Sequence, residues 1–272
     1  TRPVQIEVHQ GSNRRTARSR TAEQNAEFHL EDHLYVLARS DRQRAYVGQQ
    51  VTVDYDLFYR FRLHNVGFKE IPTFSGFWIK ELFVAQQLQE HREVLNGIPF
   101  NVAPLRKVAL FPTSAGMHTI DPLVISCEIP AQRTRRGRSL NNFFSSDPFF
   151  GRTQSTMLQS EALELEVLPL PEAGRPDEFS GAVGHFQLRA HAQPTHVRVG
   201  DPVTLRVEIV GQGNLAAIQT PKIEGAEGVK IYDPKMEEQE QITAGIYGGK
   251  RVFEYILIPE VGGVKEIPPV RF

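Results

Sequence analysis

The sequence contains one cysteine, Cys127, and one tryptophan, Trp78, among its 272 residues. A single cysteine excludes an internal disulfide and any zinc site that needs two or more thiolate ligands. Cys127 ends the apolar run 123–127, and a free cysteine in such a run usually fills space in a core. We therefore predict a buried, structural role for Cys127 rather than a reactive one.

Net charge and long apolar runs are also missing. The formal net charge is -1, so the chain as a whole has no electrostatic attraction to nucleic acid or to an anionic membrane. No stretch approaches the roughly 18 consecutive apolar residues of a membrane helix, and no signal-peptide pattern is present. We expect that any signal peptide or membrane helix of the natural protein lies outside this sequence.

An internal repeat is the most informative feature that is present. Residues 44–53 and 196–205 both read as a short strand, a Val-Gly turn at Gly48 or Gly200, and an alternating strand that begins Val-Thr. A second pair of matching segments contains Pro112 in the first copy and Pro259 in the second. Because both pairs are separated by nearly the same number of residues, the chain contains two copies of one module.

Each copy continues into a strand with strict alternation. Apolar residues alternate with Thr and Asp over 51–57, and with Thr, Arg and Glu over 203–209. This pattern is typical of a strand with one buried face. Helical periodicity is scarce, and only residues 81–94 suggest a short helical piece. The predicted class is therefore all-β, and tandem immunoglobulin-like β-sandwich domains are the predicted architecture.

The length allows two sandwiches of about 100 residues each, with additional segments between and around them. The opening residues 2–8 alternate like the closing strand 161–167 of the first module, so any ordering of 4–8 needs a borrowed edge, for example that of a neighbouring chain. The predicted organisation comprises a closing strand of a truncated upstream domain (1–9), a linker (10–32), an immunoglobulin-like β-sandwich (33–171) with an insert (130–159), a second linker (172–183), and a second such sandwich that lacks its last strand (184–272).

The insert carries a basic cluster followed by four phenylalanines in the polar stretch 143–150. Exposed aromatic surface invites association, and loops of this length are uncommon unless they have a function or are disordered. Two interpretations stay open. The phenylalanines either fold back onto their own domain as a small satellite core or form a partner-docking element.

Catalytic chemistry has no support in the sequence. In a strand, the spacing of His185, His191 and His196 puts the third side chain on the opposite face from the other two, so we predict no metal site. The run 245–250 superficially resembles a phosphate loop but lacks a Ser or Thr after Lys250, and we predict a hairpin turn there. We predict no catalytic residue and no cofactor, and no nucleic-acid binding, because no aromatic residue is interleaved among the arginines of the first linker.

Several strings of residues resemble the BatD family of the bacterial aerotolerance operon, over about residues 35–272. These strings are 74–78, 105–112, the insert segment 147–150, the interdomain signature 177–186, 211–215 and 232–235.

The resemblance implies a secreted or membrane-anchored protein, periplasmic or otherwise extracytoplasmic, which a C-terminal helix outside this sequence anchors in the inner membrane. It implies partners among the von Willebrand A-type membrane proteins of the same operon, with a link to a MoxR-type ATPase. The expected function is a non-enzymatic adaptor that contributes to oxygen or stress tolerance through an envelope complex.

A bound divalent metal in a von Willebrand A-type domain often completes its coordination with an acid from the ligand, which makes two aspartates candidates. The alternative function is a carbohydrate-binding β-sandwich module, which favours exposed Trp or Tyr platforms. Trp78 lies in an apolar string and is predicted to be in the core. The predicted partner-binding residues are Phe143, Phe144, Asp147, Phe149 and Phe150 in the insert and Asp233 in a Tyr-Asp-Pro turn.

Overall fold

The computed structural model confirms the all-β class. No α-helix occurs in the part of the chain that the structure describes, and its two short 3-10 helices are Leu30–Asp32 and Leu215–Ala217. The antiparallel sheets are consistent with β-sandwich domains. The described residues are 29–130, 153–176, 179–225 and 227–272.

The first module contains the strands β1 (Leu34–Ser40), β2 (Arg44–Tyr46), β3 (Val51–Tyr59), β4 (His64–Glu70), β5 (Phe77–Val84), β6 (His91–Leu95), β7 (Ile98–Pro112), β8 (Gly116–Ile120), β9 (Val124–Pro130), β10 (Thr153–Gln159) and β11 (Leu163–Leu168). The second module contains β12 (Gly184–Gln193), β13 (Val203–Gly213), β14 (Val229–Ile231), β15 (Lys235–Thr243) and β16 (Ile246–Pro259).

Two layers enclose the core of the first module. One layer is the sheet β1-β3-β7-β5, with β6 paired to part of β7, and the other consists of the sheets β10-β9-β4 and β2-β11-β8. The alternating residues of β3 that the sequence places on the buried face, including Val53 and Leu57, are fully buried between these layers. Cys127 on β9 lies in the same core, which confirms its predicted burial.

The second module repeats the order of the first layer. Its sheet has the strand order β12-β13-β16-β14, with β15 also paired to β16. This order matches β1-β3-β7-β5 of the first module strand by strand, and β15 corresponds to β6. The registers also agree, because Val51 faces Leu110 in the first module while Val203 faces Leu257 in the second.

Equivalent hydrogen bonds confirm the internal repeat at the level of single atoms. The backbone N–H of Gly48 donates to the carbonyl of Pro112 at 2.8 Å, and that of Gly200 donates to the carbonyl of Pro259 at 2.9 Å. Both glycines have positive φ, which a residue without a Cβ adopts at little cost. The Val-Gly turn therefore joins the start of one central strand to the end of the other in each module.

The helical piece suggested for residues 81–94 is wrong. This stretch contains the end of β5 and most of β6, both of which pair with β7. A bulge between Glu81 and Phe83 inserts an extra residue into β5 and breaks its two-residue alternation. The broken alternation, followed by the connection to β6, imitates a helical spacing of apolar residues.

Part of the predicted insert is regular structure. Thr153–Gln159 forms β10, which pairs with β9 along its whole length. The residues 131–152 lie outside the described part of the chain, and so do residues 4–8.

Candidate protein-interaction surface

The base of the insert is fixed at the open end of the β9–β10 pair. Pro130 and Thr153, which flank the stretch 131–152, face each other in the antiparallel register. The carboxylate of Glu128 accepts hydrogen bonds from Thr153 Oγ1 at 3.0 Å and from Asn65 Nδ2 at 2.8 Å. These bonds, that of Asn65 first, lower the pKa of Glu128. The two ends of the insert are therefore held together by strand pairing and by a charged acceptor.

Strand β10, which leads away from this base, is an exposed edge. It pairs only with β9 in the described part of the chain, and it contains neither a charged residue nor a proline. The side chain of Met157 on this strand is 70% exposed. Natural edge strands usually carry charges, prolines or bulges that prevent pairing with another chain. The edge of β10 has none of these, so its backbone can accept an added strand.

Other edge strands in the described residues are better protected. Strand β15 is exposed along its whole length but contains Lys235 and three glutamates. Strand β4 is bulged and ends in Lys69-Glu70. Strand β8 also lacks Asp, Glu, Lys and Arg, but it is only five residues long and begins with a glycine. Strand β10 is therefore the longer of the two uncharged edges of the first module.

Asp233 occupies an exposed turn of the second module, between β14 and β15. The turn is fixed on its β14 side, where the backbone N–H of Tyr232 donates to the carbonyl of Ile256 at 3.0 Å. The Lys230 ammonium lies 5.1 Å from the centroid of the Tyr232 ring. Asp233 thus presents its carboxylate on a fixed turn, on the module that does not hold the base of the insert.

The other predicted partner-binding residues cannot be placed on this surface. Asp233 is the one that the structure describes. The remaining five lie outside the described residues, and they are Phe143, Phe144, Asp147, Phe149 and Phe150.

The two modules dock through three aromatic rings. Trp78 on β5 lies with its ring centroid 5.3 Å from that of Phe111 on β7 and 5.6 Å from that of Tyr247 on β16. Tyr247 is completely buried. Trp78 is therefore partly buried between the modules, against the core cluster of the second, rather than in the interior of its own sandwich.

Polar contacts lock the same junction. The Gln50 amide donates from Nε2 to the carbonyl of Gly245 at 2.9 Å, and its Oε1 accepts from the backbone N–H of Tyr247 at 3.0 Å. The Glu240 carboxylate accepts from Tyr247 Oη at 2.9 Å and forms an ion pair with Lys80. These contacts fix the β15–β16 hairpin of the second module against β5 and the residue that precedes β3 in the first.

The described residues contain no group of three or more His, Cys, Asp or Glu side chains that could hold a metal ion. Burial raises the pKa of the Cys127 thiol to about 11, so this side chain is a poor nucleophile. The run 245–250 is part of the predicted hairpin, whose tight turn consists of Ala244 and Gly245, both with positive φ.

Sequence reasoning missed the junction and the edge. Lys80 and Glu240 are opposite in charge, but no local pattern shows that residues so far apart in the chain meet. The exposed edge of β10 is visible in the sequence as a run without charges or prolines, which lies within the predicted insert 130–159.

The fold and the site define a class of protein in which two β-modules occur in tandem. The modules are joined by aromatic and polar contacts, and they leave strand edges exposed. Residues 190–272 match the family model described as BatD DUF11 like domain, which confirms the resemblance to the BatD family for the second module. No curated protein matches the chain. No helix in the described ranges has the length and apolar character that crossing a membrane requires.

Proposed function

We propose that this chain is a non-enzymatic cell-envelope adaptor of the BatD type, which contributes to oxygen or stress tolerance by binding von Willebrand A-type membrane proteins of the same operon. The match of residues 190–272 to the BatD domain supports the assignment. The observation that carries the adaptor role is the exposed, uncharged edge of β10 beside the base of the insert. The periplasmic location, the inner-membrane anchor and the link to a MoxR-type ATPase belong to this proposal.

Strand addition is the first contact in the proposed complex. An extended segment of the partner pairs with the free backbone groups of β10, which gives affinity without requiring a particular sequence. The exposed side chain of Met157 adds apolar contact area on one face of the new strand. In the sequence the phenylalanines of the insert, Phe149 and Phe150 among them, shortly precede β10, and they are the second part of the proposed docking element.

An acid supplied to the partner's metal is the second contact. A divalent cation held by a von Willebrand A-type domain takes oxygen ligands, and a carboxylate from a binding protein can complete its coordination. Asp233 is exposed on a turn whose backbone is fixed, so it is available for this role. Asp147 in the insert is the other candidate.

The junction between the modules allows the two contacts to strengthen binding together. Gln50 and Tyr247 hold the second module against the first, so β10 and Asp233 keep a fixed separation. Two contacts on one rigid body lose less entropy on binding than two contacts on a flexible chain. Carbohydrate binding gains no comparable support, because Trp78 is committed to the junction and is not an exposed platform.

Binding of the chain to the ectodomains of the neighbouring von Willebrand A-type proteins tests the proposal. We would measure it by biolayer interferometry with magnesium and with a chelator, for Met157→Lys, Phe149→Ser/Phe150→Ser and Asp233→Asn. A charge on the β10 edge disfavours strand addition, so we expect Met157→Lys to weaken binding about tenfold or more.

Met117→Lys is the matched control, since Met117 is 68% exposed on β8 of the same module. Loss of binding with chelator and in Asp233→Asn assigns the coordinating acid to Asp233. Metal-independent binding that disappears in Phe149→Ser/Phe150→Ser assigns the contact to the insert. No binding by the correctly folded chain contradicts the adaptor role, and equal binding by Met157→Lys and Met117→Lys excludes β10 as the docking edge.

A further inference from the structure

The β15–β16 hairpin, which docks the second module on the first, has an equivalent in the first module. The turn of β15–β16 consists of Ala244 (φ 51°) and Gly245 (φ 79°), and that of the β6–β7 hairpin consists of Asn96 (φ 52°) and Gly97 (φ 80°). Positive φ at both turn residues is the geometry of a tight hairpin whose twist matches that of its strands. The two hairpins therefore correspond residue by residue, counted outward from the turn.

The tip of the β6–β7 hairpin is apolar and exposed. Val94 faces Pro99 across this hairpin, as Ile242 faces Tyr247 across β15–β16. Tyr247 is completely buried in the junction between the modules, whereas Pro99 is exposed and Val94 is 68% exposed. Apolar side chains of the β6–β7 hairpin thus lie on the face that its counterpart uses for docking.

The surface that receives the docked hairpin also has an equivalent. It is the outer face of the first module's sheet, turned away from that module's core, and its residues Ala109 and Phe111 are buried in the core cluster of the second module. The strand registers place Ile256 at the position of Ala109 and Ile258 at that of Phe111. Ile256 is 38% exposed, and Tyr232, whose backbone N–H donates to the Ile256 carbonyl, is 42% exposed. The outer sheet face of the second module therefore presents apolar side chains at the receiving positions.

The main hydrogen bond of the junction is lost from both equivalent surfaces together. In the junction Gln50 accepts from the backbone N–H of Tyr247. The counterpart of Tyr247 is Pro99, which has no N–H to donate. The counterpart of Gln50, in the position just before the central strand, is Pro202, whose side chain accepts no hydrogen bond. Because donor and acceptor are both absent, contact between these two surfaces leaves neither group unpaired.

Charge is also reversed on both equivalent surfaces. In the junction the hairpin contributes Glu240, which pairs with Lys80, and Lys107 of the receiving face lies against the hairpin turn. The counterpart of Glu240 is Arg92, and the counterpart of Lys107 is Glu254. An acidic hairpin on a basic face thus becomes a basic hairpin and an acidic position on the face. Such complementarity favours contact between the two equivalent surfaces over contact of either with its own kind.

We infer that the β6–β7 hairpin of one copy of this chain docks on the outer sheet face of the second module of another copy, and so repeats the junction between the modules in trans. The occupant is a second copy because one chain presents both surfaces, with matched prolines and reversed charges. The contact is heterologous, since the hairpin and the face are different surfaces, and copies therefore associate head to tail. This inference does not depend on the proposed function.

Sedimentation velocity of the chain tests the inference. Inside one chain the linker gives the junction a high effective concentration, whereas the contact in trans has no such tether, so we expect association between about 10 µM and 1 mM. Val94→Asp charges the hairpin and Ile256→Asp charges the face, so each variant alone should be monomeric over this range. Their mixture should form a 1:1 dimer, because Val94→Asp keeps an intact face and Ile256→Asp keeps an intact hairpin.

Leu95→Asp is the matched control, because Leu95 is 37% exposed on the opposite face of the same hairpin. This variant should associate as the wild type does. Tyr232→Asp is a second face variant, which should also dimerise with Val94→Asp, and circular dichroism verifies that every variant is folded.

Three results would overturn the inference. A wild type that stays monomeric up to about 1 mM excludes a specific contact between copies. Association that persists in Val94→Asp alone assigns it to a surface other than the hairpin. Folded Val94→Asp that dimerises with neither face variant excludes the head-to-tail arrangement.

Discussion

Gln50 in the first module accepts a hydrogen bond at Oε1 from the backbone N–H of Tyr247 in the second, across 3.0 Å. The other end of the same amide donates to the carbonyl of Gly245. One side chain therefore satisfies both a donor and an acceptor of the hairpin backbone, and a substitution at this position should weaken the junction without altering either core.

Gln50→Ala should lower the free energy of unfolding by about 1–3 kcal/mol, because two partly buried backbone groups lose their partners. Chemical denaturation followed by the fluorescence of Trp78, which lies in the junction, measures this loss. Gln187→Ala is the control, since Gln187 is an exposed glutamine of β12. Equal destabilisation by both substitutions would show that Gln50 does not couple the modules.

Acid should loosen the junction. Hydrogen bonds from Lys80 first, and then from Tyr247, lower the pKa of Glu240 from its usual value of 4.5. A carboxylate with a lowered folded pKa contributes stability that is present above the unfolded pKa and lost as the pH falls through the folded one. The emission of Trp78 should therefore stay constant down to about pH 4.5 and shift to the red below it.

Glu240→Gln should remove this acid dependence and weaken the junction at neutral pH. Glu237→Gln provides the comparison, because Glu237 also has a lowered pKa, caused mainly by Lys235, but lies on the opposite face of β15. An unchanged acid transition in Glu240→Gln would contradict the role of this carboxylate.

The thiol of Cys127 should resist alkylation in the folded protein. It is buried in the core of the first module, and that burial raises its pKa to about 11, so the thiolate is scarce at neutral pH. We expect iodoacetamide at about pH 8 to react more than about 100-fold more slowly than with an unfolded thiol. Mass spectrometry of the native and the denatured protein gives the two rates, and comparable rates would mean that the core of the first module opens freely.

The two turn glycines should differ in their tolerance of alanine. Gly48 and Gly200 both have positive φ, so each substitution should cost about 1 kcal/mol in backbone strain. A Cβ at Gly48 would also lie 3.2 Å from Val183 Cγ2, whereas one at Gly200 would meet nothing within 4 Å. Gly48→Ala should therefore reduce the unfolding free energy more than Gly200→Ala, which paired denaturation curves can measure. The reverse order would contradict the contact of the turn with Val183.

Alternation carried most of what could be predicted about the fold. Residues 51–57 and 203–209 each bury one face of a central strand, and the matching Val-Gly turns identified the repeat that the sheets confirm. Strand β5 could not be derived in the same way, because its bulge at Glu81 breaks the period on which the inference depends.

The candidate surface was predictable only in part. The aromatic insert and Asp233 stood out by composition and turn chemistry, which are local properties of the sequence. The contacts that fix the surface are not local: Lys80 meets Glu240, and Gln50 meets Tyr247, across most of the chain. Pairing between such distant residues is a consequence of how the modules dock, and one sequence contains no pattern that specifies it.

The facing pair Pro130 and Thr153 also has a practical consequence. Because the ends of the insert are fastened to each other by strand pairing, its length has little effect on the sandwich below. Closing a flexible loop costs only about 0.6 kcal/mol more for each doubling of its length. We therefore expect the position between Pro130 and Thr153 to serve as a grafting site, where recognition sequences of different lengths can be exchanged on one unchanged frame.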